Sequence, residues 1–291
     1  MQEIFRLLRH DRLAFCAAVF LCLVVLCAIF GPLLLGKAAD SINLRARNLP
    51  PFQFEQGWLY FLGADALGRS ILARVIVAGR VTIGIALAVV AVSMIAGAAI
   101  GMVAGLSRGL LGQAIMRGVD VIMSFPPLLL AMIVLYVLGP SPTNIVIVLG
   151  IARLPVYIRT TRARVIELRE RPFVSAAWVL GAGNWHVATR HLLPSVIPTL
   201  CIIGSLDFAY VMLGESALSF LGLGVQPPTV TWGLMVSEGR SYLTTAWWLC
   251  FWPGLAIMLT ALAANLVAIW LRLVGDPAAR KATQTKVLVD A

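Results

Sequence analysis

LAFCAAVFLCLVVLCAIFGPLLLG, residues 13–36, holds no charged residue. A helix needs about 20 apolar residues to cross the hydrocarbon of a bilayer, and this stretch supplies them. It is also longer than the apolar stretch of a cleaved signal peptide, which runs to about 15 residues. A first transmembrane helix is the expectation. The whole chain agrees with it. Of 291 residues, 60% are hydrophobic and 12% charged, and the mean hydropathy is +0.92. A soluble chain is about half apolar and about a quarter charged. So little charge does not coat a water-soluble body of this size, which excludes a soluble enzyme and a disordered chain. The net charge is +10, from 23 Lys+Arg against 13 Asp+Glu. In a soluble domain that excess points to nucleic acid. In a membrane protein it points to cytoplasmic loops, so no nucleic-acid partner is expected. Cys16, Cys22, Cys27, Cys201 and Cys250 all sit in apolar runs without a CxxC pair. They read as small apolar residues.

Working outward, residues 81–107 and 121–152 are also free of charge. The second run is too long for one helix. Gly139-Pro140-Ser141-Pro142 cuts it at a strong turn signal. Spans at 81–105, 119–139, 143–160, 195–217 and 249–271 then join 13–36, six in all. The stretch 216–237 is charge-free as well, but it carries Gly222, Gly224, Gly233, Pro227 and Pro228. Backbone groups freed by so many breakers find no water in lipid. Residues 216–248 therefore read as an external re-entrant segment. Trp247, Trp248, Phe251 and Trp252 read as an interfacial belt. The remaining pieces are an N-terminus at 1–12, an external loop with an interfacial segment at 37–80, a core domain at 81–275 and a tail at 276–291. Six spans put both termini on one side. Placing them inside leaves Lys37, Arg45, Arg47, Arg69, Arg74, Arg80 and Arg240 outside and fifteen positive residues inside, with Arg153 within a span. That bias predicts cytoplasmic termini.

The longest and most basic inner loop is 160–194. Its core reads RERPFVSAAWVLGAGNWHVATRHLLPS, residues 169–195. Pro172 suits the first turn of a helix. Phe173, Ala176, Ala177 and Leu180 follow on one apolar face. Gly181 suits the helix end. Asn184 suits the cap of a second short helix, which Pro194 is expected to stop. Two short helices joined by a tight turn make a knob with no use in lipid.

The pattern is Ser175-Ala176-Ala177, three residues, Gly181, nine residues, then His191-Leu192-Leu193-Pro194. It resembles the EAA signature of bacterial ABC-importer permeases, with Ser175 where Glu is usual. Leu62-Gly63-Ala64-Asp65-Ala66-Leu67-Gly68-Arg69-Ser70 and the run from Gly214 to Pro228 resemble segments of the peptide/nickel permease family, the second of them in its C-type subunit. Trp232-Gly233 and Gly239-Arg240-Ser241-Tyr242-Leu243 follow in the same order. The resemblance covers nearly the whole chain. It implies an all-α polytopic membrane protein with six transmembrane helices of the ABC-importer permease type and a cytoplasmic coupling helix, in a bacterial inner membrane. Ser175, Ala176, Ala177, Gly181, His191, Leu193 and Pro194 would then form the ATPase-coupling element. The implied partners are a homologous B-type permease in a heterodimer, ABC ATPase subunits and an external peptide-binding protein. The implied solute is a short peptide, with nickel or another small solute as the alternative.

The chain has no GxxxxGK[ST], since its one Gly-Lys pair, Gly36-Lys37, is followed by Ala38. No phosphate cradle exists, so no cofactor is expected on this chain, and ATP and Mg belong on the partner ATPase. His10, His186 and His191 form no HExxH. No metal site and no catalytic residue is expected.

Asp207 and Glu215 fall in or near the fifth span. A carboxylate in a membrane needs a partner or water. The two lie about 12 Å apart along a helix and about 80° apart around it, so both can face one cavity. Each has a pathway reading and a packing reading, and Arg153 is a candidate partner for either. A self-contained ion-driven transporter using these acids is the rival function. It usually shows two repeated halves, and the loop after the second span has no counterpart to 160–194.

Overall fold

The computed structural model describes residues 11–275 apart from 55 and 108. The N-terminal positions 1–10 and the tail 276–291 of the sequence reading lie outside the described residues. Within them the chain is helices joined by turns and loops, with an isolated antiparallel bridge between Ala64 and Ser70. Arg12–Asp40 (α1) is capped by Asp11, whose carboxylate accepts the Ala14 N–H at 3.1 Å. Ile71–Leu106 (α2) is capped by Ser70, which accepts from the Ala73 N–H at 3.2 Å. Leu110–Met123 (α3) and Pro127–Leu138 (α4) follow, then Pro142–Arg169 (α5), Pro172–Val179 (α6) and Asn184–Val187 (α7). Leu193–Phe220 (α8), Trp232–Gly239 (α9) and Trp248–Gly275 (α10) complete the fold. Five of these helical stretches are long and apolar enough to cross a bilayer, and the bent pair α3–α4 meets the same length and composition only when its two helices are taken together, for up to six.

Four boundaries differ from the sequence expectation. The second span starts at Ile71 rather than 81, because the charges of Arg74 and Arg80 hid its first three turns. The span expected at 119–139 is two helices that meet at 84°, broken at Pro126-Pro127. Both prolines lack a donor, and their rings exclude the preceding carbonyls. Gly183, not Asn184, occupies the cap position of α7. Pro194 stops nothing. A π turn at Ala188–Leu192 widens the chain just before it, and the helix runs on from Asn184 to Phe220. Such a turn makes room for the proline ring. The re-entrant segment expected at 216–248 begins later, since 216–220 are still the end of α8 and Trp248 opens α10, and residues 221–247 hold only the eight-residue α9 and a short 3-10 turn at Arg240–Tyr242, far short of a crossing.

α2 is the central helix, and it runs parallel to α5. Gly97, Gly101 and Gly105 form its contact ridge against Tyr157, Thr161 and Val165. Small residues four apart let two backbones meet closely, which is how helices associate without water to drive them. A Cβ on Gly101 would stand 2.6 Å from Thr161 Cβ and 2.7 Å from the Ile158 carbonyl oxygen. Gly101→Leu is therefore expected to lower stability by about 3 kcal/mol or more. Thermal unfolding in detergent reads it, and a variant as stable as the parent would remove the ridge from this account. Ala14 packs with Trp270 and Val274, so α1 begins where α10 ends. The bundle thus has a knob end, with α6 and α7, and a loop end, with residues 41–70 and α9.

Candidate functional site

The knob begins with Pro172 in the first turn of α6. The helix closes on Gly181 at φ +88°, where an L side chain is strained. The Gly181 N–H donates to Trp178 O at 2.9 Å and the Ala182 N–H to Ala177 O at 3.0 Å. This paired closure satisfies the last carbonyls and fixes the turn. Val174, Val187 and Leu192 are fully buried and fasten the knob to Val165 and Val196 of α5 and α8. The expected face of Phe173, Ala176, Ala177 and Leu180 is not the packed one. Val174 is packed, Ala177 is half-buried, and Phe173, Ala176 and Leu180 point away from the bundle. Val179 and Leu180 are each 87% exposed and Trp185 is 81% exposed. Ser175 is exposed, with its backbone N–H on Arg171 O at 3.2 Å. His191 is half-buried, 6.5 Å from the Phe173 ring, while Leu193 is half-buried and Pro194 exposed. A rigid turn that presents large apolar side chains outward is an interaction surface.

The acids go to different places. Asp207 is buried and takes both Arg153 Nε (3.2 Å) and Arg153 Nη2 in a two-point pair. The guanidinium lies 4.4 Å over the Tyr210 ring. Arg153 is thus the partner of Asp207 and not of Glu215. Glu215 is sealed, with 0% exposure, and accepts from Ser219 Oγ at 2.7 Å. Gly233 at the start of α9 lies so close that a Cβ there would be 2.6 Å from Ser216 Cα. Glu215 is thus buried where α8 meets α9 and reaches no open surface. The two carboxylates do not share a cavity.

A third constellation explains the stretch Leu62–Ser70. Asp65 accepts the Leu67 and Arg69 N–H groups, both at 2.9 Å, on one oxygen. Its other oxygen takes Arg69 Nε at 2.7 Å and Arg74 Nη1 at 2.8 Å. Arg74 is buried and extends its other Nη to Glu238 on α9 at 3.0 Å. Gly68 has φ +73° and abuts the Asn43 backbone, which leaves no room for a side chain. Trp232 donates to Val75 O at 2.7 Å and Trp248 to Ala64 O at 3.2 Å. Trp248 is 6% exposed, so the belt reading fails for it, although Trp247 and Phe251 remain half-exposed. In the amino-acid sequence these stretches stand out as a family mark only. An Asp that opens a Gly-containing turn, Asp65-Ala66-Leu67-Gly68-Arg69, is the local signal for a carboxylate that accepts from the backbone of that turn.

Parallel central helices, a knob at one bundle end and a charge-paired middle describe an all-helical membrane protein whose function the comparisons with known proteins supply. The family of binding-protein-dependent transport system inner membrane components matches residues 97–281. The N-terminal TM domain of oligopeptide transport permease C matches residues 1–51. The chain belongs to this family of ABC-importer permeases, a multi-pass inner-membrane component that is not itself catalytic. It is 38% identical to the di/tripeptide transport system permease protein DppC of Pseudomonas aeruginosa (strain UCBPP-PA14), over 97% of this chain and 93% of that protein. It is 36% identical to the probable D,D-dipeptide transport system permease protein DdpC of Escherichia coli (strain K12), over 94% and 90%. It is 39% identical to the nickel transport system permease protein NikC of the same strain, over 90% and 92%. Family membership sets aside the ion-driven transporter.

Proposed function

We propose that this chain forms half of a translocation pathway for short peptides. In this reading a homologous B-type permease supplies the other half. The knob of α6 and α7 docks into an ATPase subunit, which binds the ATP and Mg, and Ser175, Ala176, Ala177, Gly181, His191, Leu193 and Pro194 belong to that element. The knob end, with both termini, faces the cytoplasm, and the loop end faces an external peptide-binding protein. Asp207 belongs to the pathway wall through its pair with Arg153. The observation that carries the coupling role is the rigid turn at Gly181 with Val179 and Leu180 almost wholly exposed. The relatives named for peptides support the solute, and the one named for nickel gives the second reading.

The test is reconstitution of the chain with its partner permease, ATPase and binding protein in proteoliposomes. ATP-dependent uptake of a labelled di- or tripeptide is expected, with none from the chain alone. Uptake of nickel without uptake of peptide would replace the solute. Peptide uptake in the absence of the ATPase would overturn the coupling role.

A further inference from the structure

Two cationic side chains lie over aromatic rings along one stripe of α8. Tyr210, Leu213 and Phe220 are 50%, 49% and 37% exposed, and their spacing keeps them on one side of the helix. Arg153 lies 4.4 Å over Tyr210, and Arg240 lies 5.3 Å over Phe220. The two stations are about 15 Å apart along the helix. Arg153 stands about 17 Å into α5, near the middle of a bilayer about 30 Å thick. A guanidinium and a half-open tyrosine at that depth do not face hydrocarbon, because charge there is held only against protein or water. Arg240 is exposed and has no carboxylate partner among the described residues. Arg153 spends Nε and one Nη on Asp207, which leaves donors of its fork unused.

We propose that Arg240 and then Arg153 receive a carboxylate of the solute as it moves from the loop end to the middle of the bundle. The proposal rests on the permease reading above and names the group that the pathway recognises. A planar fork fits a carboxylate at two points, and the ring beneath holds its plane. Asp207 holds Arg153 in place without occupying the whole fork. A solute with a free terminal carboxylate meets two successive partners, whereas a bare divalent cation meets like charge at Arg240.

The experiment uses the whole importer with its binding protein. It compares uptake of a labelled tripeptide with uptake of the same tripeptide carrying a C-terminal amide. The variants are Arg240→Gln and the neutral double variant Arg153→Gln/Asp207→Asn, which strands no charge. The acid-to-amide uptake ratio is referred to that of wild type, so the preference of the binding protein cancels. Each variant is expected to lower the ratio about tenfold, the worth of one charge-assisted hydrogen bond. A ratio that moves in neither variant, or in one alone, overturns the two-station path. Arg240→Gln lies on an exposed turn, so its ratio still decides the outer station if the double variant does not assemble, and an unmoved ratio there sinks the proposal. Wild type that takes up neither peptide with ATP fails the permease reading instead, and that result is distinct from any change of ratio.

Discussion

An importer carrying Val179→Asp and Leu180→Asp is expected to lose its ATPase on purification and to show uptake at background. The permease itself is expected to melt as the parent does. Both side chains are 87% exposed, so the fold loses no packing when they change. Exposed substitutions of this kind shift stability by about 0.5 kcal/mol or less. Docking is another matter. Apolar anchors at the centre of an interface each contribute about 2 kcal/mol or more, and a carboxylate buried there without a partner adds its own desolvation cost. Even with incomplete additivity, affinity falls by at least about a hundredfold. Co-purification of the ATPase and ATP-driven uptake are the two readouts. Full retention of both would show that the partner grips some other part of this chain. Gly181→Ala is the milder companion. The φ of +88° strains any Cβ there by about 1–2 kcal/mol, yet open space surrounds the site, so the turn weakens without a clash.

The position of the knob was legible because its signals are local. Pro172, Gly181 and the apolar spacing each act within one or two turns. Its orientation was not legible. Phe173 and Leu180 are as apolar as Val174, and only the packing of Val174 against α5 and α8 decides which of them is covered. This helix has apolar residues on its packed face and on its open face alike. Periodicity does not then tell the inner face from the outer. Asn184 and Pro194 failed for a related reason. Capping and helix-stopping rules describe isolated helices, while here α7 is the first turn of a much longer helix whose π turn absorbs the proline.

Length errors came from charge. Arg74 and Arg80 read as loop residues, but Arg74 is neutralised by Asp65 nine positions earlier and by Glu238 far along the chain. A window that counts charges does not see such pairing. The break at Pro126-Pro127 lies inside one uncharged apolar run, and hydropathy does not show where such a run bends. The glycine ridge of α2 carried a readable period of four, lost within a stretch rich in Ala and Gly. The Arg153–Asp207 pair is different in kind. It joins positions 54 apart on two helices, and spacing along one helix does not select it over a pair with Glu215.

That pair carries the other large prediction. Asp207→Ala is expected to lower the stability of the complex by about 3–5 kcal/mol, because it leaves a mid-bundle guanidinium without its counter-charge. Asp207→Asn keeps the shape and one acceptor oxygen, so its loss is smaller but in the same direction. Arg153→Gln alone strands the carboxylate and is expected to cost a similar amount. The double variant Arg153→Gln/Asp207→Asn removes both charges and is expected to recover most of the loss. The cycle therefore shows a coupling of more than about 2 kcal/mol, well outside the additivity seen for independent sites. Thermal unfolding of the purified complex in detergent measures all four species. Additive losses would mean that the two side chains do not depend on one another, and the contact would carry no weight. Uptake of the same variants separates two roles for the pair. If Asp207→Asn transports in proportion to the complex that survives, Asp207 only holds α5 to α8. If uptake falls further than the amount of folded complex, the pair also acts on the solute. The double variant sharpens the distinction, since it restores the fold without restoring the charge. A stable double variant that still transports poorly places Arg153 on the pathway and not merely behind it.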